Sequence, residues 1–576
     1  MEKEILEWDN WFKEIEDQCV DDKIQRLNKL ANILVEMGKK EVAENIVWEI
    51  VPRMISFLKK KSVLVEVQKI LKICTEIGNA KELFLMYIEG IRSIKDDIDV
   101  KKHEKKVNIK KQEEEEEEDS YISQMRILYE CLETVLLKIK TKHLSKFIMD
   151  YSYAFISSIY VLYKYKINNK ELYDIVIKFA KQRVLGLSQL SNDYDEEKDK
   201  QRKILHSFII RIFELFFKEK SNQWSLRYYR QINPYKISFQ KNEYDIDFDG
   251  MVNSLKNIAV DTNFNFTISW KLGKILETKG NSIEYQSISL FSSNSIPSYG
   301  FLFLLGAYIF EDLYDIQDNT ISKFFDHMKT TIISLNRGPI ISSLIDTNLF
   351  LGLCILNNLQ NISTINQEDF LEYTKVLSLI SSSLEDSSLR FLSYTLIYQS
   401  LIRHSQDTTI MYINDILDTS PFKNVKTVVI NILKDEIQRH WDDSSSPFIS
   451  SVYNSLLIKI FRPNSSNQFN CIETFLQNFN FIMQALNLYI FLLKKPGDDK
   501  TGTKSKTNIL ETKKYWIDPL MYITIYTITQ LTQLGSLSHS KEGLNSEILN
   551  KLFLLKYTLD QIQEITKHLL ISKSTG

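Results

Sequence analysis

What this chain lacks is the means to break a helix. Its 576 residues include sixteen glycines and nine prolines, about 4% together, where an average protein has roughly 12%. Hairpins and phosphate-binding loops need glycine. A long chain this poor in both residues is therefore predicted to be mostly helical. Apolar residues at 44% and charged residues at 25% are ordinary for a globular protein and exclude a disordered, collagen-like or disulfide-scaffold chain. The 72 basic and 74 acidic residues nearly cancel, which gives no general pull toward nucleic acid or an anionic membrane. Cys19, Cys74, Cys131, Cys354 and Cys471 are odd in number and scattered, as expected of reduced thiols inside a cell. The acidic opening MEKEILEWDNW is no signal peptide. The apolar run Phe301 to Phe310 is ten residues long, against about twenty for a membrane span. The chain is expected to be a soluble monomer when free, in the cytoplasm or nucleus. The sequons at Asn265, Asn361 and Asn464 are then chance matches.

Apolar residues recur at helical spacing from the start. Ile24, Leu27, Leu30, Leu34 and Met37 form one stripe, and Leu64, Val67, Leu71, Cys74 and Ile77 form another. The second stripe meets a stop at Gly78, and Asn79 with Glu82 has the spacing of a capping box. Helix, tight turn and helix in succession predict an α-solenoid. The charged stretch Ser93 to Ser120, with Glu113 to Glu118 at its centre, reads as a disordered acidic insertion near 95–120. Asn192 to Lys203 reads as a second charged loop. Residues 223–262 read as an irregular connection, and short strands are conceivable between 263 and 359. Farther on, Ser420-Pro421 predicts a helix start, with Val425, Val429, Ile432 and Ile437 along the face behind it. Ile472 to Leu493 carries a long apolar ridge. Pro496 to Lys506 reads as a flexible linker. The helix pairs span about 35 to 50 residues, which suits HEAT-like units. The expected fold is all-α, an irregular HEAT-like α-solenoid in two halves, 1–222 and 263–576.

Catalytic signatures are missing. The eight histidines have no metal-ligand spacing, and neither H-E-x-x-H nor G-x-S-x-G occurs. Gly497 to Ser505 falls short of a phosphate loop because Thr503 separates Gly502 from Lys504. No basic stripe interleaves with aromatics as base stacking requires. The expectation is a protein-binding array that is not an enzyme and uses no cofactor or metal.

Particular segments resemble a known family. NIVWEIVPRMISFL from Asn45 and ICTEIGNAKELFLMYIEGI from Ile73 are similar to the N-terminal region of the glomulin family, which includes animal glomulin, a plant lateral-root protein and fungal Yap-binding proteins. Ile296-Pro297-Ser298-Tyr299 before FLFLL, Ser388 to Ile437, Phe481 to Lys495 and Glu547 to Leu570 follow the family's order. The resemblance implies an α-solenoid whose C-terminal half binds the RING subunit of cullin–RING ubiquitin ligases and covers the docking surface of the ubiquitin-conjugating enzyme. Candidate partner-binding residues beside the C-terminal ridges are Lys434, Arg439, Asn487, Tyr489 and Lys494. The alternatives are a kinetochore or stress-signalling adaptor, as in the fungal branch, or a transport or coat solenoid.

Overall fold

The computed structural model describes residues 11–572 apart from 12–13, 15–18, 39–40, 105–110, 166–168, 190–194, 219, 221, 235–244, 273–298, 312–319, 338–340, 450–453, 463–471, 497–498 and 536–541. Among the described residues every regular element is a helix: three short ones, Lys61–Val63, Thr267–Trp270 and Lys513–Ile517, and the numbered ones. In chain order these are α1 Val20–Met37, α2 Glu41–Phe57, α3 Leu64–Ile77, α4 Ala80–Glu104, α5 Lys111–Lys138, α6 Leu144–Lys164, α7 Asn169–Gln189, α8 Asp195–Phe217, α9 Trp224–Ile232, α10 Ile246–Asp261 and α11 Gly300–Glu311. They continue with α12 Thr320–Arg337, α13 Ser342–Asn357, α14 Gln367–Ser383, α15 Ser387–Leu401, α16 Gln406–Thr419, α17 Lys423–Arg439, α18 Asn454–Phe461, α19 Ile472–Gln477, α20 Phe479–Lys494, α21 Lys506–Thr512, α22 Asp518–Gly535 and α23 Glu542–Ser572. The chain divides into two compact units, one of residues 1–315 with 339–351 and one of 316–338 with 352–576. No helix among the described residues is long and apolar enough to cross a membrane.

The first unit is a two-layered array. Helices α1, α3, α5, α7 and α10 pack in series, and so do α2, α4, α6, α8 and α11. Neighbours in chain order, such as α2 with α3 and α4 with α5, join the two series. The local grammar of the sequence explains the turns. Val67, Ile70, Leu71, Cys74 and Ile77 bury the inner face of α3. Gly78 ends that helix with its N–H on the Cys74 carbonyl. Asn79 Oδ1 then accepts from the N–H groups of Lys81, at 3.0 Å, and Glu82, satisfying donors that a new helix leaves free. The second half of α8, from Ile204 to Phe217, and α11 lie deeper and are buried on nearly every side. They approach so closely that a Cβ at Gly300 would sit 2.0 Å from the Ile210 carbonyl oxygen. Asp346 of α13, 1% exposed, accepts from Trp224 N at 2.8 Å, from Ser225 N at 3.1 Å and from the Ser225 hydroxyl. That carboxylate sits where the start of α9 concentrates unsatisfied donors and positive dipole.

Three expectations need correction. Residues 93–104 lie in α4, and Glu113 to Glu118 lie in the opening turns of α5. Of the expected acidic insertion near 95–120, only 105–110 lies outside the described residues. Glutamate is a good helix former, and acids at a helix N-terminus meet its positive dipole. The charged loop expected from Asn192 instead starts α8 at Asp195. There Glu197, itself buried, accepts from Ser145 N at 2.5 Å and Ser145 Oγ at 2.9 Å. Residues 223–262, expected as an irregular connection, hold α9 and α10 inside the first unit, with Trp224, Tyr228, Met251 and Leu255 buried. The described part of 263–359 contains no strand; residues 273–298, with Ile296-Pro297-Ser298, lie outside it.

The second unit is built on the same principle. Helix α14 packs on α12, α15, α16 and α17, then α17 on α20, α20 on α23, and α23 on α22.

Each unit buries a neutral histidine. His206 Nε2 lies 2.9 Å from Thr262 Oγ1, and burial holds the ring's pKa down at about 4. His327 lies 3.4 Å from both Thr331 Oγ1 and Tyr373 Oη, and burial holds it at about 3. An unfolded histidine takes up its proton near pH 6.5. The stabilisation from keeping these rings neutral is thus complete above that pH and is lost as the pH falls toward 4 and below. Each ring is expected to cost about 2 kcal/mol of stability by pH 5. Urea unfolding at pH 7.5 and 5.0 checks this, and His327→Gln should remove its share of the difference.

Candidate partner-binding site

The candidate residues fall on α17 and α20, which pack together in the second unit. Helix α17 starts later than its sequence signal. Ser420 closes α16 with its N–H on the Ile416 carbonyl, while its hydroxyl accepts from Phe422 N. The helix then begins at Lys423 behind Phe422. Its inner face carries Val425, Val429, Ile432 and Ile437 as expected, and also Ile430, Leu433 and Glu436. Burial pushes the Glu436 carboxyl above its usual range, and Arg439 and His440 oppose the shift. Arg439 Nη1 donates to Glu436 at 2.5 Å, and its Nη2 donates to Tyr398 Oη at 2.9 Å. Arg439 is therefore tied into its own unit.

Helix α20 separates its candidates by face. Ile482, Leu486, Tyr489 and Leu493 form the inner ridge. Tyr489 is 1% exposed, with its ring 5.0 Å from Phe461 and 6.3 Å from Trp516. This corrects its assignment to a binding surface, because a buried ring has no face to offer a partner. Asn487 and Lys494 are exposed. With Phe491 between them they occupy positions i, i+4 and i+7, one strip of the helix.

Lys434 reaches that strip from α17, its Nζ 5.5 Å from the centre of the Phe491 ring. Two lysines that the sequence reading passed over join it. Lys495 Nζ stands 5.1 Å from both Phe491 and Trp441, and Lys500 Nζ 5.8 Å from Trp441. Lys500 also donates to the Trp441 carbonyl at 2.9 Å. The segment that places Lys500 was expected to be a flexible linker. Its described residues instead form an ordered turn, with Thr501 and Thr503 buried and 2.8 Å apart through their hydroxyls. Gly502 there takes φ 71°, the left-handed region that suits glycine. Ser505 caps α21 by accepting from Asn508 N. That serine is the signal by which the sequence could have shown order.

A second surface was not foreseen. Tyr522, 73% exposed, and Tyr526 stack with parallel rings 6.4 Å apart on α22. Tyr515 precedes them, and Phe553, Leu554 and Tyr557 are exposed on α23. Chemistry of other kinds is not in evidence. Among the described residues no three His, Cys, Asp or Glu side chains stand close enough to hold a metal ion. The Cys74 and Cys131 thiols are raised to about 12 and about 11, chiefly by burial, which disfavours the reactive thiolate.

The two faces of α20 should respond differently to truncation. Tyr489→Ala is expected to cost about 3 to 5 kcal/mol. Asn487→Ala and Lys494→Ala should stay within about 0.5 kcal/mol. Denaturant midpoints of the three variants decide this, and a mild Tyr489→Ala would return that residue to the surface.

A family model described as "Uncharacterised protein family, YAP/Alf4/glomulin" matches residues 9–522. No curated protein matches the chain. Among solved structures, a circular tandem repeat protein with novel repeat topology and enhanced subunit contact surfaces is similar over 97% of this chain and 98% of its own. Its sequence identity is 10% and its TM-score 0.21, too slight a likeness to bear on the fold.

Proposed function

We propose that this chain, which belongs to the YAP/Alf4/glomulin family, is a non-catalytic regulator that binds another protein and covers its docking surface. The partner in this reading is the RING subunit of a cullin–RING ubiquitin ligase. The covered surface is the one that receives the ubiquitin-conjugating enzyme. Family membership motivates the choice of partner. The observation that carries the mode of action is the set of exposed aromatic side chains on α22 and α23, Tyr522, Tyr526, Phe553 and Tyr557, with Tyr515 just before α22. Tyrosine and phenylalanine are enriched at protein interfaces, and a few such anchors supply most of the binding energy. Occlusion needs a stable interface, about 800 Å² on each partner, and no reactive group.

Lys434, Asn487 and Lys494 lie on the neighbouring helices of the same unit, and we assign them to the polar part of the contact. Arg439 and Tyr489 act indirectly, by fixing α17 and α20. The YAP element of the family description favours a second reading, a kinetochore or stress-signalling adaptor.

Titration of the full-length protein into a reconstituted cullin–RING reaction should reduce ubiquitin-chain synthesis to background. The triple variant Tyr522→Ala, Tyr526→Ala, Tyr557→Ala should raise the half-inhibitory concentration by about tenfold or more. Undiminished synthesis at saturating, folded protein would rule the ligase reading out and leave the adaptor.

A further inference from the structure

We propose that Lys434, Lys495 and Lys500, seated on Phe491 and Trp441, form a receptor for an acidic peptide segment of the bound protein. This deepens the occlusion reading and rests on it only for the claim that a protein is bound. The three ammonium groups converge on two rings at 5.1 to 5.8 Å from their centres. None has a carboxylate within ion-pair distance among the described residues, whereas some other cations of the same unit are paired. Lys375 sits 3.1 Å from Asp415, Lys459 sits 2.7 Å from Asp418, and Arg462 is paired with Glu511.

Among the described residues, the acids nearest in sequence, Asp435, Asp442 and Asp499, make no ion pair with the cluster. Asp443 is turned into its own loop, accepting from Ser445 N at 3.0 Å and Ser445 Oγ at 2.6 Å. The lysines are also held in place. Ring faces attract ammonium groups, Lys500 is fixed by the Trp441 carbonyl, and the carbonyl of Lys495 is bonded by Lys504. Convergent cations fixed before binding lower the ordering cost of recognising an anion.

The shape selects among anions. A nucleic acid would need ring faces free for its bases, and here Trp441 is buried and ammonium groups stand at both rings. The exposed strip of Asn487 and Lys494 beside the cluster offers further polar contacts to a peptide backbone. The ligand class that fits is a protein segment rich in glutamate and aspartate.

The test is fluorescence anisotropy with the full-length protein and a labelled twelve-residue peptide of alternating glutamate and leucine. Its glutamine counterpart, and tripolyphosphate as competitor, complete the set. The acidic peptide should bind and the glutamine peptide should not. Lys434→Glu with Lys495→Glu should weaken binding at least tenfold. Lys567→Glu, the same charge change on an exposed lysine elsewhere, should change it by less than twofold. No binding of the acidic peptide, equal binding by the double variant, or an equal loss in Lys567→Glu overturns the proposal. So does tripolyphosphate binding tighter than the peptide, since the ligand would then be a small free anion. The ubiquitin assay fails independently. If the protein does not inhibit ligase but loses the peptide in the double variant, the ligase reading falls and the acidic-segment receptor stands.

Discussion

The described helices bury their apolar stripes mostly on helices one to three places along the chain. In the first unit the series α1, α3, α5, α7, α10 and α2, α4, α6, α8, α11 follow from that single requirement. Sheets close their hydrogen bonds between strands, but a helix closes its own, so such an array can grow by simple addition. The interior then needs few long-range polar links. Most buried hydroxyls bond one turn back in their own helix, as Thr75 does to Leu71, Ser152 to Ile148 and Thr524 to Leu520. The exceptions include Ser158 and Tyr163, which donate to the Ile91 and Phe216 carbonyls, Ser343, which donates to the Phe217 carbonyl, and carboxylates at helix starts. Asp346 at α9 and Glu197 at α6 join segments far apart in sequence.

The same requirement directs function outward. With the inner faces consumed by packing, what distinguishes this chain is what its outer faces carry. In the second unit these are the aromatic side chains of α22 and α23 and the lysines gathered over Phe491 and Trp441. In the proposed reading both serve recognition, which needs no nucleophile beside a base.

Much of this was legible in the sequence. Scarce glycine and proline gave the all-helical class, and the Gly78-Asn79-Glu82 signal marked one turn residue by residue. Charge misled in both acidic stretches. A block of glutamates reads as solvated chain, but glutamate is a good helix former and the block lies within α5, while at the start of α8 Glu197 caps a neighbour. Aromatic connection residues such as Trp224 and Tyr228 were passed over because their partners, Asp346 and Phe350, are distant in sequence. Among the site residues, helical spacing put Asn487 and Lys494 outside. The same spacing places Tyr489 with Ile482, Leu486 and Leu493, and its phenolic hydroxyl lent it a misleadingly polar look. Lys495, Lys500 and Trp441 were invisible as a group, since only the ordered turn after α20 brings them together.

Hydrogen–deuterium exchange on the full-length protein, with and without a cullin-bound RING subunit, tests most directly whether the outer faces of the second unit do the work. Slower exchange within 423–439, 479–504 and 513–572, with 20–217 unchanged, is the result this account predicts. Protection confined to the first unit, or none at saturating partner, would contradict it.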